Sequence, residues 1–176
     1  ARFAAAGALV AAATKALNFI FVESFKRAVE FEKALGNLAA VGGATQKEIE
    51  QLGKAALDAA GSTKFTANQI VELQTELSKL GFTADEVVDS TLAISIGAQA
   101  LGAGLGETAQ QVGKLINQFG LLAQDAEMVV DTLVTTINES ALSMQTFGVA
   151  VQYVGPIARD LGIDLQATAG AMAVLA

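Results

Sequence analysis

The 176-residue chain has no cysteine and no histidine, and a single proline, Pro156. Without cysteine there are no disulfides, no thiol chemistry and no cysteine-based zinc sites. Without histidine the usual imidazole base and the commonest transition-metal ligand are missing, so the serines have no ordinary partner for nucleophilic catalysis. Aromatic residues are few, at 6%. Strand-rich domains generally use more aromatic and β-branched residues than this. No segment alternates with period two over a strand's length.

What is present suits helices. Just over half of the chain is apolar, mostly Ala, Leu and Val, which is enough for a packed core. The net charge of −7 is unevenly spread. Residues 1–47 carry six Lys/Arg against three Asp/Glu, whereas residues 48–176 carry five against fifteen. An acidic domain is poorly suited to gripping nucleic-acid phosphates, and the basic start is too dilute to form a phosphate-binding patch. The chain begins at Ala1 and stops at Ala176 inside an apolar run, with no capping signal. It is therefore expected to be a stretch of a longer protein.

Helix punctuation is the strongest pattern. Gly43-Ala44-Thr45, Gly81-Phe82-Thr83 and Gly162-Ile163-Asp164 each place a glycine before an apolar residue and a capping residue. The glycine ends one helix in the left-handed conformation, and the hydroxyl or carboxylate starts the next. Gly61-Ser62-Thr63-Lys64-Phe65-Thr66 is a variant. Thr45 with Glu48, Thr66 with Gln69 and Thr83 with Glu86 have capping-box spacing, and Phe65 with Ile70 and Phe82 with Val87 have hydrophobic-staple spacing. Weaker starts lie near Gly106, near Asp125 and at Ser143. These signals predict an all-α fold, with helices at 3–38, 46–60, 67–80, 84–101, 107–119, 125–138, 144–161 and 165–176. The result is a long N-terminal helix followed by about seven shorter helices in successive hairpins. Residues 1–40 read as a long amphipathic helix and residues 41–176 as a helical hairpin core domain. Thr14, Leu17, Phe21, Ser24, Ala28, Phe31, Leu35 and Leu38 form a heptad seam. That seam fits either packing on the chain's own domain or self-association in a coiled-coil bundle, and the two readings stay open.

Candidate chemistry is sparse. Gly102, Gly104 and Gly106 are spaced G-x-G-x-G after a helical pattern, which is not a dinucleotide loop, and Glu107 would repel phosphate. Asp85 with Glu86 and Asp125 with Glu127 fall in first helical turns, where carboxylates complement the helix dipole. No calcium-loop motif is present. Residues 3–22 and the uncharged stretch 90–106 are the most membrane-like segments. The first has only about a dozen uncharged residues before Lys15, short of the ~20 needed to span a bilayer. The second reads as a soluble-core helix. No catalytic, cofactor-binding or metal-binding residue is expected, and the expected class is a structural protein.

The junctions, taken in order, resemble the core region of phage tail tape measure proteins. The residues that carry the resemblance are Thr63-Lys64-Phe65-Thr66-Ala67-Asn68-Gln69 and Leu77-Ser78-Lys79-Leu80-Gly81-Phe82-Thr83-Ala84-Asp85-Glu86. Asn117-Gln118-Phe119-Gly120-Leu121, Val130-Asp131-Thr132-Leu133 and the stretch Val154-Gly155-Pro156-Ile157-Ala158-Arg159-Asp160-Leu161-Gly162-Ile163-Asp164-Leu165 follow. The resemblance spans about residues 25–176 and departs at Ser78, where alanine is more usual. It implies a virion structural component that sets tail tube length, lies in the tube lumen or at the tip, and leaves ahead of the DNA during genome ejection. It carries over no catalytic residue, and it implies parallel self-association and partners among tube, tip and tail assembly chaperone proteins, with transient host-membrane contact and a host-cytoplasmic stage during assembly. A membrane-active pore former or translocator, and a soluble peptide-binding adaptor, are the rival readings. Seven short helices make a compact block and not a ruler, so a plug-like feature at one end of the ruler is expected, or a change of form inside the tube.

Overall fold

The structure is a computed structural model, and it describes residues 24–176. It is helical throughout those residues. After α1 (residues 24–42) come α2 (Gln46–Ser62), α3 (Ala67–Lys79), α4 (Ala84–Leu101) and α5 (Leu105–Phe119). A 3₁₀ turn, η1 (Ala123–Asp125), leads into α6 (Ala126–Asn138), followed by α7 (Met144–Asp160) and α8 (Leu165–Leu175).

The caps place these boundaries. The hydroxyls of Thr45, Thr66 and Thr83 accept from the backbone N–H groups of Glu48, Gln69 and Glu86. The Glu48, Gln69 and Glu86 side chains reach back to the threonine N–H groups at 2.6, 2.9 and 2.8 Å. All three predicted capping boxes therefore form. Ser143 and Asp164 cap α7 and α8 by accepting from the backbone N–H groups of Thr146 and Ala167. At the other ends, Gly43, Gly81 and Gly162 adopt the left-handed conformation expected of them, as do Gly102 and Gly120. Past each of the last four, the following N–H reaches back to a carbonyl five residues earlier, as in Phe82 to Leu77 and Ile163 to Ala158.

Two expectations need correction. Gly61 does not end α2, which runs on through Ser62. The Ser62 and Thr63 hydroxyls donate to the carbonyls of Asp58 and Ala59, and these two bonds close the helix end without a left-handed glycine. Nor is a long first helix found among the described residues. α1 covers 19 residues there against 18 for α4. It also continues past Leu38, because Gly43 is the first residue with positive φ. Residues 3–23 of that expected helix, including Thr14, Leu17 and Phe21 of the seam, lie outside the described residues. Of the remaining seam, Leu35 and Leu38 are buried, Phe31 is half-buried, and Ser24 and Ala28 are exposed.

The helices form two layers. α2, α4, α6 and α8 lie side by side in one, and α3, α5 and α7 in the other, with consecutive helices crossing between layers. α1 lies beside α3, where Gly42 approaches Ser78 and Ala34 shares a groove with Val71 and Thr75. Among α2 to α8, no main contact joins helices more than two places apart, as in a stacked array. The core between the layers includes Leu38, Leu52, Ile70, Leu73, Leu77, Ile94, Leu115, Leu133 and Phe147, all fully buried.

Small residues set how close the helices lie. A Cβ at Gly97 of α4 would stand 2.4 Å from a Val130 methyl of α6, and one at Gly113 of α5 would stand 2.6 Å from a Leu80 methyl. Gly148 and Gly155 of α7 meet Gln111 and Gln118 of α5 at similar range. Thus α4 and α6 in one layer, and α3, α5 and α7 in the other, approach through a glycine.

The serines and threonines inside the core are satisfied locally. Ser90, Thr91, Ser95, Thr108, Thr136 and Thr168 each donate to the carbonyl four residues earlier, at 2.6 to 3.0 Å. This is how the uncharged stretch 90–106 sits in a protein core, with Ser90, Thr91, Ile94, Ser95, Gly97 and Ala98 buried. Among the described residues no single helix is long and apolar enough to cross a membrane. α4 and α5 reach that composition only as a pair, across a break of 119°.

Candidate functional site

The residues with chemical potential go to structural tasks. Glu86 is occupied by the Thr83 backbone and hydroxyl, and an Asp125 oxygen accepts from the Leu122 N–H at 2.9 Å. Asp85 and Glu127 are exposed, one at the start of α4 and the other at the start of α6. Gly102 ends α4 and Gly104 starts α5, so the G-x-G-x-G run is an interhelical turn. Among the described residues no group of three or more acidic side chains is placed to hold a metal ion. Two carboxylates titrate below the ordinary glutamate range. Glu48 is held down by hydrogen bonds from the Thr45 hydroxyl and backbone. Glu76 is held down by Lys79, which donates to it at 2.8 Å, and by Gln110, which donates at 2.9 Å.

One buried polar side chain joins three helices. Gln74 of α3 is fully enclosed, and its Nε2 donates to the Leu52 carbonyl of α2 at 3.0 Å and to the Thr91 hydroxyl of α4 at 3.3 Å. Its Oε1 has no partner. An enclosed amide of this kind fixes the register of α2, α3 and α4, because sliding any of them leaves further polar groups unpaired.

Of the surface grooves that run between neighbouring helices, two have a distinctive lining. One, between α5 and α7, is lined by carboxamides: Gln111, Asn117, Gln118, Gln145 and Gln152, with Lys114. Gln145 also donates to Glu107 across it. The other, between α4 and α6, is lined by the apolar Leu92, Ile96 and Val130 and by the acidic Asp89, Glu127 and Asp131. Neither was predicted from the sequence. The acidic residues were visible only as helix-start charges, and the glutamines carry no local signature.

Three of the motif segments, those containing Leu80, Asn117-Gln118 and Gly155 to Arg159, meet along the seam of the α3, α5 and α7 layer. Asn117 Nδ2 donates to the Leu80 carbonyl at the end of α3, at 3.2 Å. Gln118 Nε2 donates to the Val151 carbonyl of α7 at 2.9 Å, entering the space that Gly155 leaves open. Arg159 returns the contact, donating to the Gln118 carbonyl at 3.2 Å, where the cation also meets the negative end of the α5 dipole. Gln118 of α5 and the Val151, Gly155 and Arg159 positions of α7 are thus halves of one interlock, while Asn117 ties α5 to the end of α3.

A family described as phage-related minor tail protein matches residues 46–176, which is α2 to the end of the chain. The chain belongs to this family. The interlock and all three capping boxes fall within or at the edge of the matched region of this tail protein. The tape measure protein of Pneumococcus phage Dp-1 is 25% identical to it over 168 residues, covering 96% of this chain and 15% of that relative. The chain therefore spans a small part of the length of the relative it matches. No solved structure matches it significantly. The resemblance to tape measure proteins read from the junctions agrees with both comparisons.

Proposed function

We propose that this chain is a folded, non-enzymatic block of a tape measure protein, held in the tail tube lumen or at the tail tip. It adds a compact body to a ruler whose extended parts set tube length, and it leaves with the rest of the ruler ahead of the DNA. Self-association, and contacts with tube, tip and chaperone proteins, belong to the same proposal. The observation that carries it is the match to a tape measure protein along nearly the whole chain, combined with a fold whose core lies between two helical layers.

The fold gives the proposal a measurable consequence. Drawn out as one helix, the 131 residues matched by the family would span roughly 200 Å at 1.5 Å per residue. Four helices abreast at 8–10 Å spacing occupy only about 40 Å. Deleting residues 46–176 from the full-length protein, and measuring tail length by electron microscopy, separates the two forms. Tails shortened by far less than ~200 Å are expected. A loss near that full value would show that the block is extended in the tube and would refute the compact form.

A further inference from the structure

Exposed apolar side chains line one flank of α7. Val149, Tyr153, Ile157 and Leu161 are 56, 73, 63 and 70% exposed. They are spaced four residues apart and form a continuous ridge. Such ridges interdigitate with a neighbouring helix in the commonest helix-packing class. The opposite flank of α7 already faces α5 through Gly148, Gly155 and the Gln118 contact.

The array indicates what belongs there. Each odd-numbered helix from α3 to α7 lies beside the odd helix before it: α3 beside α1, α5 beside α3 and α7 beside α5. Apart from the η1 connection, turns of three to five residues separate consecutive helices. A turn of the same kind after α8 would place the next helix on the bare flank of α7. The side-by-side placement of α3, α5 and α7 would be repeated once more, with an apolar contact in place of the glycine and carboxamide ones. The matched stretch makes up 15% of the relative's length, so most of that relative lies outside it.

We infer that the outer flank of α7 is the seat of a further amphipathic helix of the same polypeptide, carried by sequence following residue 176 in the full-length protein. That helix extends the odd-numbered layer and presents apolar side chains at three-four spacing to Val149, Tyr153 and Ile157. The inference concerns the fold alone and does not rest on the proposed role in the tail.

Because this chain contains no cysteine, thiol labelling can test it. Tyr153→Cys and Ile157→Cys are introduced singly into the full-length protein, freed of any other thiol, and into the 176-residue chain. Glu127→Cys, on exposed α6 surface, is the reference. In the full-length protein, maleimide labelling at 153 and 157 is expected to be at least about tenfold slower than at 127, the factor that a local opening cost of about 1.4 kcal/mol produces. In the 176-residue chain, labelling at all three positions should be equally fast. Labelling of the full-length protein at the reference rate would show an open flank and overturn the inference. Protection that appears in both forms and disappears on dilution would assign the flank to a second copy and would also overturn it. Tyr153→Glu provides an independent check, since a buried charge should lower the Tm of the full-length protein and leave the 176-residue chain unchanged. Equal Tm values in the full-length pair would count against the inference.

Discussion

Replacing Gly97 with alanine should destabilise the protein, although alanine is the better helix former. In an exposed helix interior, glycine to alanine gains about 0.5–1 kcal/mol. At Gly97 the new methyl would stand 2.4 Å from Val130 Cγ1 and 3.5 Å from Val130 Cβ and Cγ2. Carbon atoms prefer about 3.5–4.0 Å, so the overlap exceeds an ångström. Val130 is 4% exposed, and a valine in a helix has essentially one χ1 rotamer. It cannot swing aside, so α4 and α6 must separate. Overpacking of this kind costs about 1–3 kcal/mol, leaving a net loss of about 1 kcal/mol. Urea unfolding followed by circular dichroism gives the measurement, with Gly36→Ala as the control, since a Cβ there meets nothing within 4 Å. The control should become more stable. Val130→Ala alone should cost about 2 kcal/mol through lost burial and a cavity. In that background Gly97→Ala should turn favourable, giving a coupling near 2 kcal/mol. If Gly97→Ala raised the midpoint as Gly36→Ala does, the close approach of α4 and α6 would be refuted.

Three further outcomes follow from the same structure. Gln74→Met should be close to neutral, because it removes an unpaired acceptor along with two hydrogen bonds, whereas Gln74→Glu should cost about 3 kcal/mol or more at neutral pH by burying a charge; unfolding midpoints distinguish the pair. Thr83→Ala removes the cap on α4 and should cost about 1 kcal/mol, read from the same unfolding curves. Glu48 and Glu76 are held below the ordinary glutamate range by their hydrogen bonds, so the unfolded chain binds protons first. Their contribution is present above that range and lost as pH falls through their lowered values, and Glu76→Gln should flatten the acid limb of a stability–pH profile.

Most of the helix boundaries were legible because the deciding interactions are local. A capping box needs only Thr83 and Glu86, and a stop glycine needs only Gly162 and its immediate neighbours. Gly61 misled because it belongs to the same kind of punctuation, while the chain's actual stop comes from hydroxyl groups just beyond it. The contacts that organise the layers were not legible. Gln118 and Val151 are 33 residues apart, and nothing within either segment marks the other as its partner. The glycines at 97, 113, 148 and 155 look like ordinary helix-weakening residues until the facing side chain is known. The two grooves were hidden for the same reason, since each is lined from two helices that the sequence does not pair.

An open array also has a mechanical character that a closed bundle lacks. Among α2 to α8 no main contact ties the first helices to the last, so a pull on either end of this stack loads only the outermost hairpin and its nearest neighbours. Force is then resisted one small interface at a time, and not by the whole core at once. The chain should come apart in steps, starting from the end being pulled, with the remaining stack intact and ready to serve as the template on which the released helices lie down again.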